Sequence, residues 1–205
     1  MIELFNRGGF FMWPILGLLI LGLAVSFERF ISLTRAAIDT RKFMTELHHA
    51  LTTGGIEAAK AVCHQVHAPL ASIFHAGLMR TDKGLDVVEK TIINAGSIEM
   101  AFLERGLVWL ATVISLAPML GFTGTVQGMV NAFDAIAAAN DISPAIVAEG
   151  ISIALLTTLF GLVVAIIIQV FHNYFIAKID RIVIAMEESA AEFLDLLIDY
   201  EDGKK

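Results

Sequence analysis

Hydrophobic residues along this chain of 205 residues are concentrated in three long runs. Each run is long enough to cross the hydrocarbon layer of a membrane as a helix that rises about 1.5 Å per residue. The pattern predicts three transmembrane helices, at about 10–28, 106–133 and 149–172. The intervening and following stretches keep a helical period of apolar residues and are predicted to be cytoplasmic helices, at about 31–105 and 173–200.

Helical periodicity in the first polar stretch is interrupted at residues 52–55, 68–69 and 81–84. From about Asp86 the apolar pattern runs on without a breaker, which predicts one long helix that enters the second span. After the third span, a 4-3-4-3-4 spacing predicts a bundle or coiled-coil seam, formed by Ile179, Val183, Met186, Ala190, Phe193 and Leu197. We therefore predict an all-α polytopic membrane protein, a single module over residues 1–205, in which two transmembrane helices extend far into the cytoplasm as a helical bundle.

Small side chains form a stripe along each of the last two spans. The first stripe consists of Gly121, Thr125, Gly128 and Ala132, and the second of Ala154, Thr158, Gly161, Ala165 and Gln169. Stripes of this kind let helices approach closely, and two of them indicate a shared polar lumen. In the alternative interpretation they only pack helices, and each threonine hydroxyl bonds to a carbonyl of its own helix. Pro118 predicts a local bend, because it cannot donate a backbone hydrogen bond to Ile114.

Composition excludes an ordinary soluble domain, because 57% of the residues are hydrophobic and the mean hydropathy is +0.74. The formal net charge of −7 does not favour nucleic acid as a partner. Cys63 is the only cysteine, so no intrachain disulfide can form, and we expect it in a reducing compartment.

Basic residues predict the orientation in the membrane. Arg7 alone precedes the first span, none lies between Asp134 and Glu149, and the other 13 of the 14 lie at 29–105 or from Lys178 onwards. Since basic residues accumulate on the cytoplasmic side, we expect the N-terminus outside, the C-terminus in the cytoplasm and a short outer loop at about 134–148.

The sequence gives only weak signals of a metal or catalytic site. Five histidines lie at 48, 49, 64, 67 and 75. His64 and His67, three residues apart, could share a metal ion, but no third ligand is spaced convincingly. Surface or packing roles are therefore favoured for the histidines, both over a metal site and over a catalytic pair of Cys63 and His67. Glu104 and Arg105 are predicted membrane-edge charges, for which ion pairing is favoured over proton relay. His172 falls at the cytoplasmic edge, where an interfacial role is the default. No set of nucleophile, base and orienting group predicts an enzyme, and no cofactor is expected.

Five segments together resemble the MotA/TolQ/ExbB proton-channel family, in its ExbB/TolQ-like branch. They are G-G-F-F-M-W-P-I-L at 8–16, F-E-R-F at 27–30, L-E-R-G-L at 103–107, A-P-M-L-G-F-T-G-T-V-Q-G-M-V-N-A-F at 117–133 and E-G-I-S-I-A-L-L-T-T-L-F-G-L-V-V-A-I at 149–166. The resemblance implies an energy transducer of the bacterial cytoplasmic (inner) membrane.

Proton movement driven by a membrane potential needs a titratable group near mid-membrane, and the chain has no carboxylate there. The carboxylate should therefore arrive on another chain. The resemblance implies such a chain: a homopentamer would surround a single-span ExbD/TolR-like subunit with a transmembrane aspartate, and a TonB/TolA-like protein is a further candidate partner. Carried over by motif, Thr125 and Thr158 are the pore-facing hydroxyls. Many relatives have glutamate in an I-x-E-A-L motif where this chain has Ile153, so a relay step through that acid is not expected here.

The resemblance thus implies a pentameric proton channel and stator. The process that it energises, TonB-type uptake, Tol-type envelope maintenance or another process such as gliding, is not specified by these residues. Two alternatives remain open: a non-conducting membrane scaffold, and a sodium-driven stator of the same architecture.

Overall fold

The computed structural model describes Phe5 and residues 8–139 and 144–202, and nearly all of these residues are helical. The helices along them are α1 (Met12–Ala36), α2 (Thr40–Gln65), α3 (Pro69–Leu78), α4 (Leu85–Glu104), α5 (Leu107–Ala139) and α6 (Pro144–Asp202). The described residues contain no strand, so the predicted all-α class is confirmed. Three helical stretches are apolar and long enough to cross a membrane, as predicted: Met12–Gln65, Leu85–Ala138 and Val147–Asp202.

All three predicted interruptions of the first polar stretch are confirmed. Gly55 breaks α2 with a φ of 70°. Ala68 is extended ahead of Pro69, which begins α3 as proline often begins helices. A short 3₁₀ helix at Thr81–Lys83 and Gly84, with a φ of 91°, separate α3 from α4. These breaks could be predicted because glycine and proline act locally on the backbone.

The predicted continuous helix from Asp86 into the second span was wrong. α4 ends at Glu104, the backbone of Arg105 is extended with a ψ of 131°, and Gly106 has a φ of 91° before α5 begins. This left-handed region suits glycine, which has no Cβ to clash. The apolar periodicity continues across Arg105 and Gly106 because α4 and α5 each bury one face. Gly106 was therefore the only feature of the sequence that could have predicted this break.

The chain separates into two compact units. The span unit comprises the residues up to Arg29 together with Gly106–Tyr174, and the bundle unit comprises Phe30–Arg105 and Phe175–Lys205. These boundaries lie within two residues of the predicted ends of the transmembrane helices. The assignment of the units to membrane and cytoplasm, and their treatment as a single module, stay predictions.

The core of the bundle unit confirms the predicted seam. Phe193 of α6 is fully buried and stacks on Phe74 of α3, with ring centroids 4.3 Å apart. Phe43 of α2 stacks on the same Phe74 at 6.1 Å. Other members of the seam are also buried, namely Ile179, Met186 and Leu197. The seam thus packs α6 against α3 through aromatic stacking and apolar burial, and α2 joins the same core through Phe43 and Phe74.

Candidate ion pathway

Within the span unit, α5 and α6 approach each other through glycine. A Cβ added at Gly161 would lie 2.5 Å from the carbonyl oxygen of Ala117 and 3.2 Å from the Cα of Gly121. A Cβ at Gly121 would in turn lie 3.0 Å from the carbonyl oxygen of Thr157. Since these are backbone atoms, a side chain at either glycine would push the two helices apart.

A second close contact between the same helices lies nearer the C-terminal end of α5. A Cβ at Gly128 would lie 3.1 Å from the amide nitrogen of Ala154, and one at Gly150 would lie 2.4 Å from the Cβ of Ala132. The two predicted stripes therefore meet each other within one chain. This intrachain contact contains four of the predicted site residues, Gly121, Gly128, Ala154 and Gly161, whose lining of an ion path stays a prediction.

Adjacent threonines of α6 mark the centre and the edge of this contact. Thr157 is buried, and its Oγ1 would lie 2.6 Å from a Cβ on Gly124. Thr158 is half-buried, and its Oγ1 donates to the carbonyl oxygen of Gly121 at 3.3 Å. Thr158 thus lies at the edge and links the two helices directly.

Thr125 lies at the same edge, because it follows Gly121 by one helical turn and residues four apart share a face. It is half-buried, and its Oγ1 donates to the carbonyl oxygen of Phe122 at 2.6 Å. The structure therefore brings the two predicted threonines to one side of the α5–α6 pair, although Thr125 is satisfied within its own helix.

The polar side of α6 continues towards the end of the span unit. Ala165 is buried, and Gln169, one turn later, is half-buried and donates from Nε2 to Oδ1 of Asn173 at 2.8 Å. Between them, Nδ1 of His172 is buried and has no hydrogen-bond partner in the protein. We call Thr125, Thr158, Gln169, His172 and Asn173 the polar edge. Sequence reasoning missed Asn173, although its four-residue spacing from Gln169 was an available signal.

α1 packs on a different side of α6. A Cβ at Gly22 would lie 2.7 Å from Cδ1 of Ile168 and 3.4 Å from Cγ1 of Val113. Ile168 lies about 100° around α6 from Gln169, since successive helical residues are rotated by this angle. α1 therefore supports the α5–α6 pair and leaves Asn173 of the polar edge exposed.

Comparison with known proteins shows which sequences this chain resembles. The sequence pattern of the MotA/TolQ/ExbB proton channel family matches residues 65–188, which is more than half of the chain. The chain belongs to the MotA/TolQ/ExbB proton channel family. This membership and the three apolar helices indicate an inner-membrane protein.

Three relatives of this family member illustrate the range of the similarity. An ExbB homolog for biopolymer transport from Methanothermobacter thermautotrophicus is 32% identical over 87% of this chain and 64% of its own length. The Tol-Pal system protein TolQ of Pseudomonas aeruginosa is 35% identical, with coverages of 61% and 59%. The biopolymer transport protein ExbB of Salmonella typhimurium is 39% identical, with coverages of 45% and 38%. The chain thus spans less than two thirds of the length of these relatives.

Ile153, the position of the expected family glutamate, lies away from the polar edge. Its Cγ2 would be 3.5 Å from a Cβ on Gly9, in the segment before α1. Position 153 is about 140° around α6 from Thr158. The apolar side chain therefore does not interrupt the polar edge of this family member.

The buried charge at the end of the span unit is Arg29, which sequence reasoning did not single out as a site. It is 7% exposed and donates to the carboxylate of Glu28 through two hydrogen bonds of 2.6 Å. Its Cδ would lie 3.4 Å from a Cβ on Gly106, at the break before α5. The predicted edge charges Glu104 and Arg105 are exposed, and neither forms an ion pair with a described residue. Pairing between subunits stays a prediction for them.

Cys63 is buried in the bundle unit. Burial raises the pKa of the Cys63 thiol from 9.0 to about 12, which keeps it protonated and weakly nucleophilic. The rings of His64 and His75 lie 6.3 Å apart. Within the described residues, no three side chains of His, Cys, Asp or Glu gather as metal ligands.

Proposed function

We propose that this chain is the ring-forming subunit of a proton-driven motor in the cytoplasmic membrane. A homopentamer would surround a single-span ExbD/TolR-like subunit whose transmembrane aspartate carries the proton. A TonB- or TolA-like protein would transmit the work to an envelope or transport process. Family membership supports the channel role, and the names of the ExbB and TolQ relatives support the two kinds of process.

The distribution of charge in the span unit carries this proposal. From Gly8 to Phe27, from Gly106 to Phe133 and from Gly150 to Phe171, no described residue is Asp, Glu, Lys, Arg or His. A membrane potential supplies about 2.3 kcal/mol per 100 mV only to a charge that moves through the field. Threonine hydroxyls and amides do not change charge near neutral pH. The moving charge must then belong to another chain.

The polar edge supplies the groups that would receive that chain's carboxylate. Thr158 holds the carbonyl oxygen of Gly121 by a long bond of 3.3 Å, so its hydroxyl can turn to an ionised carboxylate at a small energetic cost. Thr125 lies on the same side. Its hydroxyl would give up the bond to the carbonyl oxygen of Phe122 in order to turn to the carboxylate. The proposal places the polar edge towards the ring axis and the N-terminus outside the cell.

Replacing each threonine with valine tests this role, because valine has nearly the same volume and no hydroxyl. We expect Thr125→Val and Thr158→Val to remove most of the proton uptake of liposomes that contain this chain and a single-span ExbD/TolR-like protein. An apolar wall disfavours the ionised carboxylate and so slows proton release. Thr112→Val is the matched control, since Thr112 also lies on α5 and donates to the carbonyl of Val108 at 2.8 Å.

Two controls establish whether the variants still fold and assemble. Protein level and co-purification of the single-span protein should be unchanged in all variants. Without its partner, the purified chain should still form a complex several times heavier than 22.2 kDa. Full proton uptake in both threonine variants would contradict the proposed role of these hydroxyls, and a monomeric chain would contradict the ring.

A non-conducting scaffold is the second candidate. The glycine contacts between α5 and α6, together with the bond from Thr125 to Phe122, account for the small stripes without a lumen. A stable ring with its partner that passes neither protons nor sodium under an imposed potential would favour this function. Uptake that needs sodium would instead favour the sodium-driven stator.

A further inference from the structure

Two rows of exposed residues run along α4 and the residue that follows it, within the bundle unit. The first, which we call the acidic row, has a 4-7-4 spacing and consists of Glu89, Ile93, Met100 and Glu104. The second, the basic row, has a 4-4-3-4 spacing and consists of Lys90, Asn94, Ile98, Ala101 and Arg105. Since successive helical residues are rotated by about 100°, the rows lie roughly 110° apart around the helix. Each row thus begins and ends with charges of one sign and has apolar side chains between them.

A third side of α4 packs against α3. It buries Val88, Ile92 and Leu103, and Cγ1 of Ile92 would lie 3.0 Å from a Cβ on Gly77 of α3. The two rows point away from this contact, and Ile93 and Ile98 are each 59% exposed. Lipid does not account for this exposure, because five of the 20 residues of α4 are charged, too many for a helix in hydrocarbon. Exposed apolar side chains outside a membrane indicate a contact with protein.

The acidic row borders a groove of about 290 Å³, which we call the α4–α6 groove. Its apolar lining includes Ile93, Gly96 and Met100 of α4 and Val183 and Met186 of α6. Glu187 of α6 also lines the groove and adds a negative charge to the side of the acidic row. Ile98 of the basic row lies between Gly96 and Met100 in height along α4. A second copy of α4 beside this groove can therefore place its Ile98 side chain inside it.

The charges of the two rows match in height. None of Glu89, Lys90, Glu104 and Arg105 forms an ion pair with a described residue. Each acid precedes a base by one position, but adjacent residues do not face each other on a helix. In a ring whose axis runs along α4, every residue has the same height in each copy. When the acidic row of one copy meets the basic row of the next, Lys90 is therefore level with Glu89, and Arg105 with Glu104. Both pairs form together, because fifteen residues separate the two acids and also the two bases, about 22 Å of helix.

We propose that the acidic row of one copy of this chain binds the basic row of the next, with Ile98 in the α4–α6 groove. The inference rests on the proposed function, which requires a ring, and it names the surfaces that join the copies in the bundle unit. Because two different rows meet, each copy keeps one row for each neighbour, and the contact continues around a ring. The angle of roughly 110° between the rows is close to the angle of roughly 108° between neighbours in a ring of five. Burial of the isoleucine stabilises the contact, and the charges fix its register.

Disulfide cross-linking of the full chain tests which rows meet. In a Cys63→Ala background, two differently tagged copies are produced in one cell, one with Ile98→Cys and the other with Met100→Cys, and the membranes are oxidised. We expect a linked dimer that carries both tags, because the two positions lie on facing rows and differ by about 3 Å in height. Ile98→Cys in both copies is the matched control and should link far less, since like rows do not meet. A ring in which like rows link instead, or in which different rows do not link, would overturn this inference and leave the proposed function standing.

Charge reversal tests whether the rows recognise each other by sign. Glu89→Lys combined with Glu104→Arg makes both rows basic and should lower the cross-linked fraction about tenfold, because like charges then face each other. Adding Lys90→Glu and Arg105→Glu exchanges the signs of the two rows and should restore the link. This recovery also separates repulsion from a failure to fold. An unchanged fraction in the first variant, or no recovery in the second, would contradict pairing between the rows.

Glu188→Lys combined with Glu192→Lys is the matched control for charge reversal. Both glutamates are exposed, and they lie roughly 140° and 180° around α6 from Val183, on the side away from the groove. The net charge of the chain changes by the same amount, so the cross-linked fraction should stay as in the wild type. An equal loss in this control would assign the effect to net charge and overturn the inference. A wild-type chain that stays monomeric in mild detergent would overturn both the inference and the proposed function.

Discussion

Replacing Gly161 with alanine should open the contact between α5 and α6. The new Cβ would lie 2.5 Å from the carbonyl oxygen of Ala117 and 3.2 Å from the Cα of Gly121. Neither backbone atom can rotate away, so the helices must separate. A shift of roughly 1 Å forfeits about half of the dispersion attraction across the contact. Overpacking of this kind costs about 1–3 kcal/mol.

Gly17→Ala is the matched control for this change. Gly17 lies on α1, and a Cβ there meets no atom within 4 Å. Both substitutions gain up to about 1 kcal/mol of helix preference, so the difference between them isolates the contact. Gly17→Ala should be neutral or slightly stabilising.

The assay is the thermal midpoint of the purified full chain in mild detergent, measured by loss of the folded gel-filtration peak and by tryptophan fluorescence. Both tryptophans, Trp13 and Trp109, belong to the span unit, so the fluorescence reports on the affected helices. We expect Gly161→Ala to lower the midpoint by on the order of 5 °C. A Gly161→Ala protein as stable as Gly17→Ala would refute close contact of the two backbones.

Two further predictions concern Cys63 and the topology. Burial raises the pKa of Cys63 from 9.0 to about 12, so at pH 9.0 about a thousandth of the folded thiols are ionised and iodoacetamide should label the folded chain far more slowly than the unfolded one; equal rates would contradict the burial. Because folding favours the protonated thiol, its contribution to stability is complete below pH 9.0 and is lost as the pH rises towards about 12, and Cys63→Ala should remove this alkaline dependence of the unfolding midpoint. In a Cys63→Ala background, single cysteines at residues 141–145 should react with an impermeant maleimide on intact cells, whereas cysteines at Lys60 or Asp195 should need permeabilised cells; the reverse pattern would overturn the predicted orientation.

Much of the local structure could be predicted from the sequence because its causes are local. Runs of apolar residues predicted three spans. Glycine and proline predicted the breaks at Gly55, Ala68 and Gly84. The spacing of the seam predicted that Phe193 and Leu197 would be buried. In each case hydropathy or backbone preference acts within a few residues, so the partner of the element need not be known.

Other features were decided only by the tertiary structure. The small stripes predicted close packing, but only the pairing of α5 with α6 shows that they meet each other, with Gly161 against Ala117. The bond from Thr158 to Gly121 joins residues 37 positions apart and depends on how each helix is rotated. The unpartnered nitrogen of His172 likewise depends on what neighbouring helices present to it. Helical periodicity specifies which residues share a face, but the rotation and pairing of helices specify what that face meets.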